Sequence, residues 1–222
     1  MLLLAADTSG KDGGIALAQA RKDGTCDILE VVPLQGGTFS AQLVPQIAAL
    51  LGKHGLTKRD IGGFAVVSGP GSFTGLRVGL AAIKALAEIL SKPIATVSLL
   101  ELVAAAHSKG AVLAALDAGR KEVYAGEYET QPELKLIREQ LLSRDEFLAR
   151  ALDLPVVTPD ASIAEIAHSA GGHVELIDRP CSDAIARLGW QKIQAAVIVS
   201  PGDLDANYIR RSDAEIFSKP GS

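Results

Sequence analysis

Three groups of residues have types and spacings that could do chemistry. The first is Asp7-Thr8-Ser9, a carboxylate followed by two hydroxyls at the end of an apolar run. At the carboxyl end of a strand, such a set could anchor a hydrated divalent cation and a phosphate oxygen. The alternative, which weighs more, is a turn in which the side chains cap their own backbone. Asp117, followed by Ala118 and Gly119, poses the same alternative without hydroxyls. The third group is the stretch from Ser68 to Gly79, SGPGSFTGLRVG, where a glycine-rich loop opens a long apolar segment. Free N–H groups and the positive end of a helix dipole make an anion site physically reasonable there.

The loop fails the tests for known phosphate binders. No Lys-Ser or Lys-Thr pair follows Gly69, Gly71 or Gly75, so it is not a P-loop, and the dinucleotide pattern would need glycine where Thr74 stands. Ser72 lies between Pro70 and Thr74 and lacks the flanking glycines of a hydrolase nucleophile elbow. The histidines, His54, His107, His168 and His173, contain no H-E-x-x-H, and His168 and His173 are separated by a Gly-Gly break. Cys26 and Cys181 have neither disulfide-framework nor metal-ligand spacing. The residues therefore predict no metal site and no cofactor.

The elements that must position these residues follow from periodicity. Leu2 to Ala6, Gly14 to Ala20 and Asp27 to Leu34 read as an antiparallel meander. Leu43, Val44, Ile47, Ala48, Leu50 and Leu51 recur at helical spacing over 41–51, with Pro45 near the first turn. A strand over 64–67, a helix over 76–90 and a strand over 94–97 complete an α/β first half. The second half begins with a helix over 99–107, then a strand over 111–116, a turn over 117–121 and a strand over 122–128. Leu2–Ala18 and Val112–Tyr128 share one pattern: an apolar strand ending in Asp, small residues, a charged turn and a second strand. This predicts a duplicated α/β fold, divided at 1–108 and 109–222, with the final segment free to pack back on the first half.

The helix over 76–90 is apolar on more than one side. Leu76, Leu80, Ile83, Ala87 and Leu90 form one row and Val78, Ala82, Ala85 and Ile89 a second, while Arg77, Lys84 and Glu88 occupy one polar stripe. One sheet face needs an apolar arc only a little over 100° wide, so a second helix is expected to cover the surplus. Short side chains permit close interhelical packing, which assigns Val78, Ala82, Ala85 and Ile89 to a partner. The helix over 41–51 is also apolar on more than one side, and Leu43, Ile47 and Leu50 join the expected partner surface.

Composition narrows the classes. The 222 residues are 48% hydrophobic and 4% aromatic and carry a net charge of −4. The basic pairs are Arg120-Lys121 and Arg210-Arg211, too little to grip nucleic acid unaided. The apolar start, Leu2 to Ala6, is too short for a signal core or a membrane span. A cytoplasmic protein without membrane contact is the plain expectation.

SGPGSFTGLRVG after a strand, AADTS near the start, LDAGRKEVYAGEY opening the second half and ANYIRR near the end together resemble the TsaB (YeaZ) family. The resemblance runs over nearly the whole chain, and GPGSFTGLR is its most specific piece. It implies two RNase H-like halves of the actin, sugar-kinase and chaperone ATPase superfold. It also implies a non-catalytic dimerisation subunit in the synthesis of threonylcarbamoyladenosine in tRNA. Such a subunit pairs with the TsaD ligase and the TsaE ATPase, forms a homodimer when alone and meets tRNA only through the complex. Asp7, Thr8, Ser9 and Asp117 would then be vestiges of phosphate loops. Where TsaD presents an H-x-x-x-H metal pair, Thr38 to Leu43 holds no histidine. The competing expectation is a nucleotide-dependent enzyme of the sugar-kinase type with Asp7 as metal anchor.

Overall fold

A computed structural model describes residues 1–108 and 110–210. The described residues form two five-stranded sheets with the same strand order. In the first, β1 (Leu2–Asp7) lies between β2 (Asp12–Ala20) and β4 (Ile61–Gly69), with β3 (Cys26–Gln35) and β5 (Ile94–Ser98) at the edges. The meander β1-β2-β3 is antiparallel, as its short turns require, while β4 and β5 run parallel to β1 after helical crossovers. The second sheet repeats this arrangement. There β6 (Ala111–Gly119), β7 (Glu122–Glu129) and β8 (Lys135–Ser143) form the meander, and β9 (Val156–Thr158) and β10 (Val174–Leu176) run parallel to β6. The expected duplication is thus present strand for strand.

Chain contacts divide the molecule at Leu99, not at residue 108. One unit comprises Met1–Leu99 and Pro180–Ala206; the other comprises Leu100–Arg179 and the described residues from Asn207 onward. Packing explains the interleaving. Helix α6 (Ser182–Gln194) buries Ile185, Ala186, Gly189 and Trp190 on the first sheet. Gly189 leaves space for the methyl of Ala65 below it, a contact that any Cβ at 189 would occupy. Helix α3 (Leu99–Ala105) sets Leu100 against Gly126 of β7 in the second unit.

The first sheet carries helices on both faces. Successive residues of a strand point to opposite sides, and a Cβ at Gly13 would lie 2.8 Å from the Phe39 ring whereas one at Gly14 would lie 2.8 Å from Ser182 Oγ. Phe39 begins α1 (Phe39–Lys53) and Ser182 begins α6, so these helices occupy opposite faces. Helix α2 (Phe73–Leu90) packs beside α1 and over β4. In the second unit α4 (Arg144–Asp153) and α5 (Ala161–Ser169) cover a core that includes Leu113, Val123, Phe147 and Val156. Ser143 and Glu146 form a reciprocal capping box at the start of α4.

Candidate functional site

The turn after β1 and the loop before α2 are packed against each other. Asp7, Thr8 and Ser9 are buried, at 6%, 3% and 2% exposure. Ser9 donates to Asp7 Oδ1 twice, from its backbone N at 2.8 Å and from Oγ at 2.6 Å. Thr8 Oγ1 donates to the Gly75 carbonyl at 2.7 Å, and Ser72 N donates to the Ser9 carbonyl at 2.6 Å. Both hydroxyls and one carboxylate oxygen are therefore engaged inside the protein.

The glycines of the loop make this closure possible. A Cβ at Gly71 would collide with the Ser9 carbonyl, one at Gly75 with the Thr8 carbonyl and one at Gly79 with Thr8 Oγ1. Their role is backbone approach to the 7–9 turn. Gly69, at φ +138°, bends the chain into the loop, and Ser72 caps α2 by accepting from Gly75 N at 3.3 Å. Arg77 lies 3.7 Å above the Phe73 ring, which holds the first exposed cation of α2 along the helix.

Asp117 repeats the geometry of Asp7 in the second unit. Its Oδ1 accepts from Gly119 N at 2.8 Å, the same aspartate-to-i+2 bond as Asp7 to Ser9. Asp117 N in turn donates to Asp160 Oδ2 at 2.7 Å. These two turns belong to separate units and match in local chemistry, an Asx turn at the end of the first strand. Two of the four histidines pair individually with carboxylates: His54 Nε2 stands 2.9 Å from Glu30, and His107 Nδ1 stands 2.8 Å from Glu175. Among the described residues no three His, Cys, Asp or Glu side chains come together as a metal set, and no helix is long and apolar enough to cross a membrane.

The two apolar helices expose different residues from those expected on one of them. On α2 the heavier row faces inward, with Leu76, Leu80, Ile83 and Ala87 buried. Val78 and Ala82 are half-buried, Ala85 is exposed and Ile89 is 72% exposed. On α1, by contrast, Leu43, Ile47 and Leu50 are buried at 1%, 4% and 2% exposure and are closed to a partner. Their spacing, taken as a surplus beyond the core, is the core row itself. What α1 presents outward is Ala41, Val44, Pro45 and Ala48, with Val44 at 54% exposure. A narrower apolar arc would have shown this: Leu43, Ile47, Leu50 and Leu51 are the large side chains and the outer positions are small. Arg211, of the Arg210-Arg211 pair, lies outside the described residues.

Residues 31–192 match a family model for TsaD, tRNA N6-adenosine threonylcarbamoyltransferase. A Bacillus subtilis (strain 168) protein, tRNA threonylcarbamoyladenosine biosynthesis protein TsaB, is 30% identical over 232 residues, covering 97% of this chain and 96% of its own. The chain belongs to the TsaB family. TsaB of Escherichia coli (strain K12) is 36% identical over 134 residues, covering 58% of this chain and 55% of its own. Among solved structures, a Pseudomonas aeruginosa protein described as similar to peptidase YeaZ is 25% identical and superposes with a TM-score of 0.75, over 94% of this chain and 99% of its own. The superposition over nearly the whole of both chains shows that the fold is shared.

Proposed function

We propose that this chain is a non-catalytic scaffold subunit in the formation of threonylcarbamoyladenosine in tRNA, pairing with a TsaD-type ligase and a TsaE-type ATPase. The observation that carries the reading is the outer row of α2. Val78, Ala82, Ala85 and Ile89 form a line of apolar side chains that the described residues leave exposed at Ala85 and Ile89 and only half-buried at Val78 and Ala82. Helix α1, which packs beside α2 and has Ala41, Val44 and Ala48 outward, adds further small and apolar side chains on which a helix pair can pack closely. The same face serves a homodimer when the ligase is absent.

The buried Asp7-Thr8-Ser9 turn supports a scaffold over a nucleotide-dependent enzyme. Its hydroxyls are committed to Gly75 and Asp7, and the α2 loop sits directly against it. A net charge of −4 supports tRNA engagement chiefly within the complex. The test is co-expression with the organism's TsaD-type and TsaE-type proteins, followed by co-purification and assay of the modified nucleoside. Full nucleoside formation with this chain omitted would refute the reading.

A further inference from the structure

After buried Leu204 the chain enters the second unit at Asn207 and lies against β7 and β8. Asn207 Nδ2 donates to Glu139 Oε2 at 2.6 Å, and the Tyr128 hydroxyl donates to the other oxygen of the same carboxylate. Three residues on, Arg210 pairs with Glu122, and its guanidinium stands 5.8 Å from the centroid of the Tyr124 ring. Glu122, Tyr124 and Gly126 alternate along β7, and Glu139 lies opposite Gly126 on β8. One side of the sheet therefore carries both carboxylates and the ring.

The segment is held differently from the strands beneath it. Residues 205–210 belong to no helix or strand, and Asn207, Tyr208, Ile209 and Arg210 are each only half-buried. Val123, Ala125 and Leu142 of the underlying strands are buried in the core. The Arg210 and Glu122 side chains are 25% and 36% exposed, and pairs so open to water are weak and screened by salt. A stretch that buries none of its side chains fully opens at a lower cost than the core strands on which it rests.

We propose that residues 207–210 are a strap, which opens and closes as one piece over the β7–β8 surface while the sheet stays folded. Closed, its amide and its guanidinium fill the two acidic positions. Open, it uncovers Glu122, Tyr124 and Glu139, two carboxylates beside an aromatic ring. The device does not depend on the pairing proposed for α2.

The test is NMR of the full-length ¹⁵N-labelled chain as wild type, Asn207→Ala, Arg210→Ala and the double variant. Each contact biases the same open–closed equilibrium, so the amide shifts at 122–124 and 138–140 of all four proteins should fall on one line, with the double variant furthest from wild type. Asn207→Ala should thus move the amides of Glu122 and Tyr124, where the other end of the strap is held. Added salt should move the wild type along the same line, since it screens the Arg210–Glu122 pair. Shifts confined to the contact of the substituted residue overturn the proposal, because the two contacts would then act separately. Loss of the dispersed β6, β7 and β8 signals in either single variant also overturns it, because the segment would then be part of the folded sheet and not a strap upon it.

Discussion

Thr8 Oγ1 donates a 2.7 Å hydrogen bond to the carbonyl of Gly75, joining the first turn of the chain to the first turn of α2 across 67 positions. Gly79, one helical turn further, is where a Cβ would strike that same hydroxyl. In an exposed helix interior, Gly→Ala stabilises by about 1 kcal/mol. Here Gly79→Ala should destabilise by about 1–3 kcal/mol, because the added methyl displaces a buried, bonded hydroxyl. Thr8→Ala should be destabilising alone and should recover part of the loss when combined with Gly79→Ala. Urea unfolding of the four proteins completes the cycle; simple additivity would show that the two residues do not meet.

The outward and inward rows of α2 separate association from folding. Ala85 is exposed and Ile83 is fully buried. Ala85→Glu should leave a folded chain that no longer associates with itself or with a TsaD-type partner, at a cost of orders of magnitude in affinity. Ile83→Glu places a charge in the core and should prevent folding. Light scattering and circular dichroism on both variants decide. Two folded, fully associated proteins would remove α2 as the docking surface.

Acid should loosen the seam between β3 and the end of α1. Lys53 Nζ donates to Glu30 Oε1 at 2.6 Å and His54 lies 2.9 Å from Oε2. These hydrogen bonds, that of Lys53 foremost, hold the Glu30 carboxyl below its ordinary value near 4.5. A carboxylate with a depressed folded pKa contributes stability that is present above the unfolded value and is lost as pH falls through the folded one. Stability should therefore decline below about pH 4.5, and Glu30→Gln should flatten that part of the curve. Thermal melts from pH 3 to 7 measure it; coincident curves would assign the acid sensitivity to other carboxylates.

The two thiols should react at different rates. Cys26 is buried in β3, and burial pushes its thiol above the ordinary value, while Cys181 at the start of α6 is exposed. A thiol reagent at neutral pH should label about one cysteine per native chain and two after denaturation. Rapid labelling of both in the native protein would show that the β3 edge opens readily.

The isolated chain should not turn over Mg-ATP. Asp7 is buried and engaged by Ser9, so Asp7→Ala should lower Tm instead of abolishing an activity. Steady ATP hydrolysis that vanishes in this variant would restore the enzymatic reading.

The first half was legible because its signals are local. Short apolar runs separated by turn-forming residues marked β1, β2 and β3, and the heavy row of α2 marked its inner face. The match between Leu2–Ala18 and Val112–Tyr128 disclosed the duplication before any contact was known. After Tyr128 two strands are very short: β9 and β10 have three residues each, too few for periodicity to register. The Ser143-Arg144-Asp145-Glu146 capping box was the available signal for α4. The placement of α6 had none, because Gly189 is understood only beside Ala65, which is far away in sequence. The candidate site was half legible. Glycines and hydroxyls marked its parts, but whether the turn faced an anion or the α2 loop depended on a tertiary contact.

The return of α6 to the first sheet also orders events during synthesis. One face of β1, β2, β4 and β5 is complete only when residues 182–194 have been made. A growing chain that ends before them holds a first unit with a bare sheet, although all its strands are present. Small domains generally fold as they emerge from the ribosome, N-terminal first. Here the N-terminal unit must instead wait for residues near the other end of the chain, and during that interval the apolar surface later covered by Trp190 and Ile185 is open to chaperones and to aggregation.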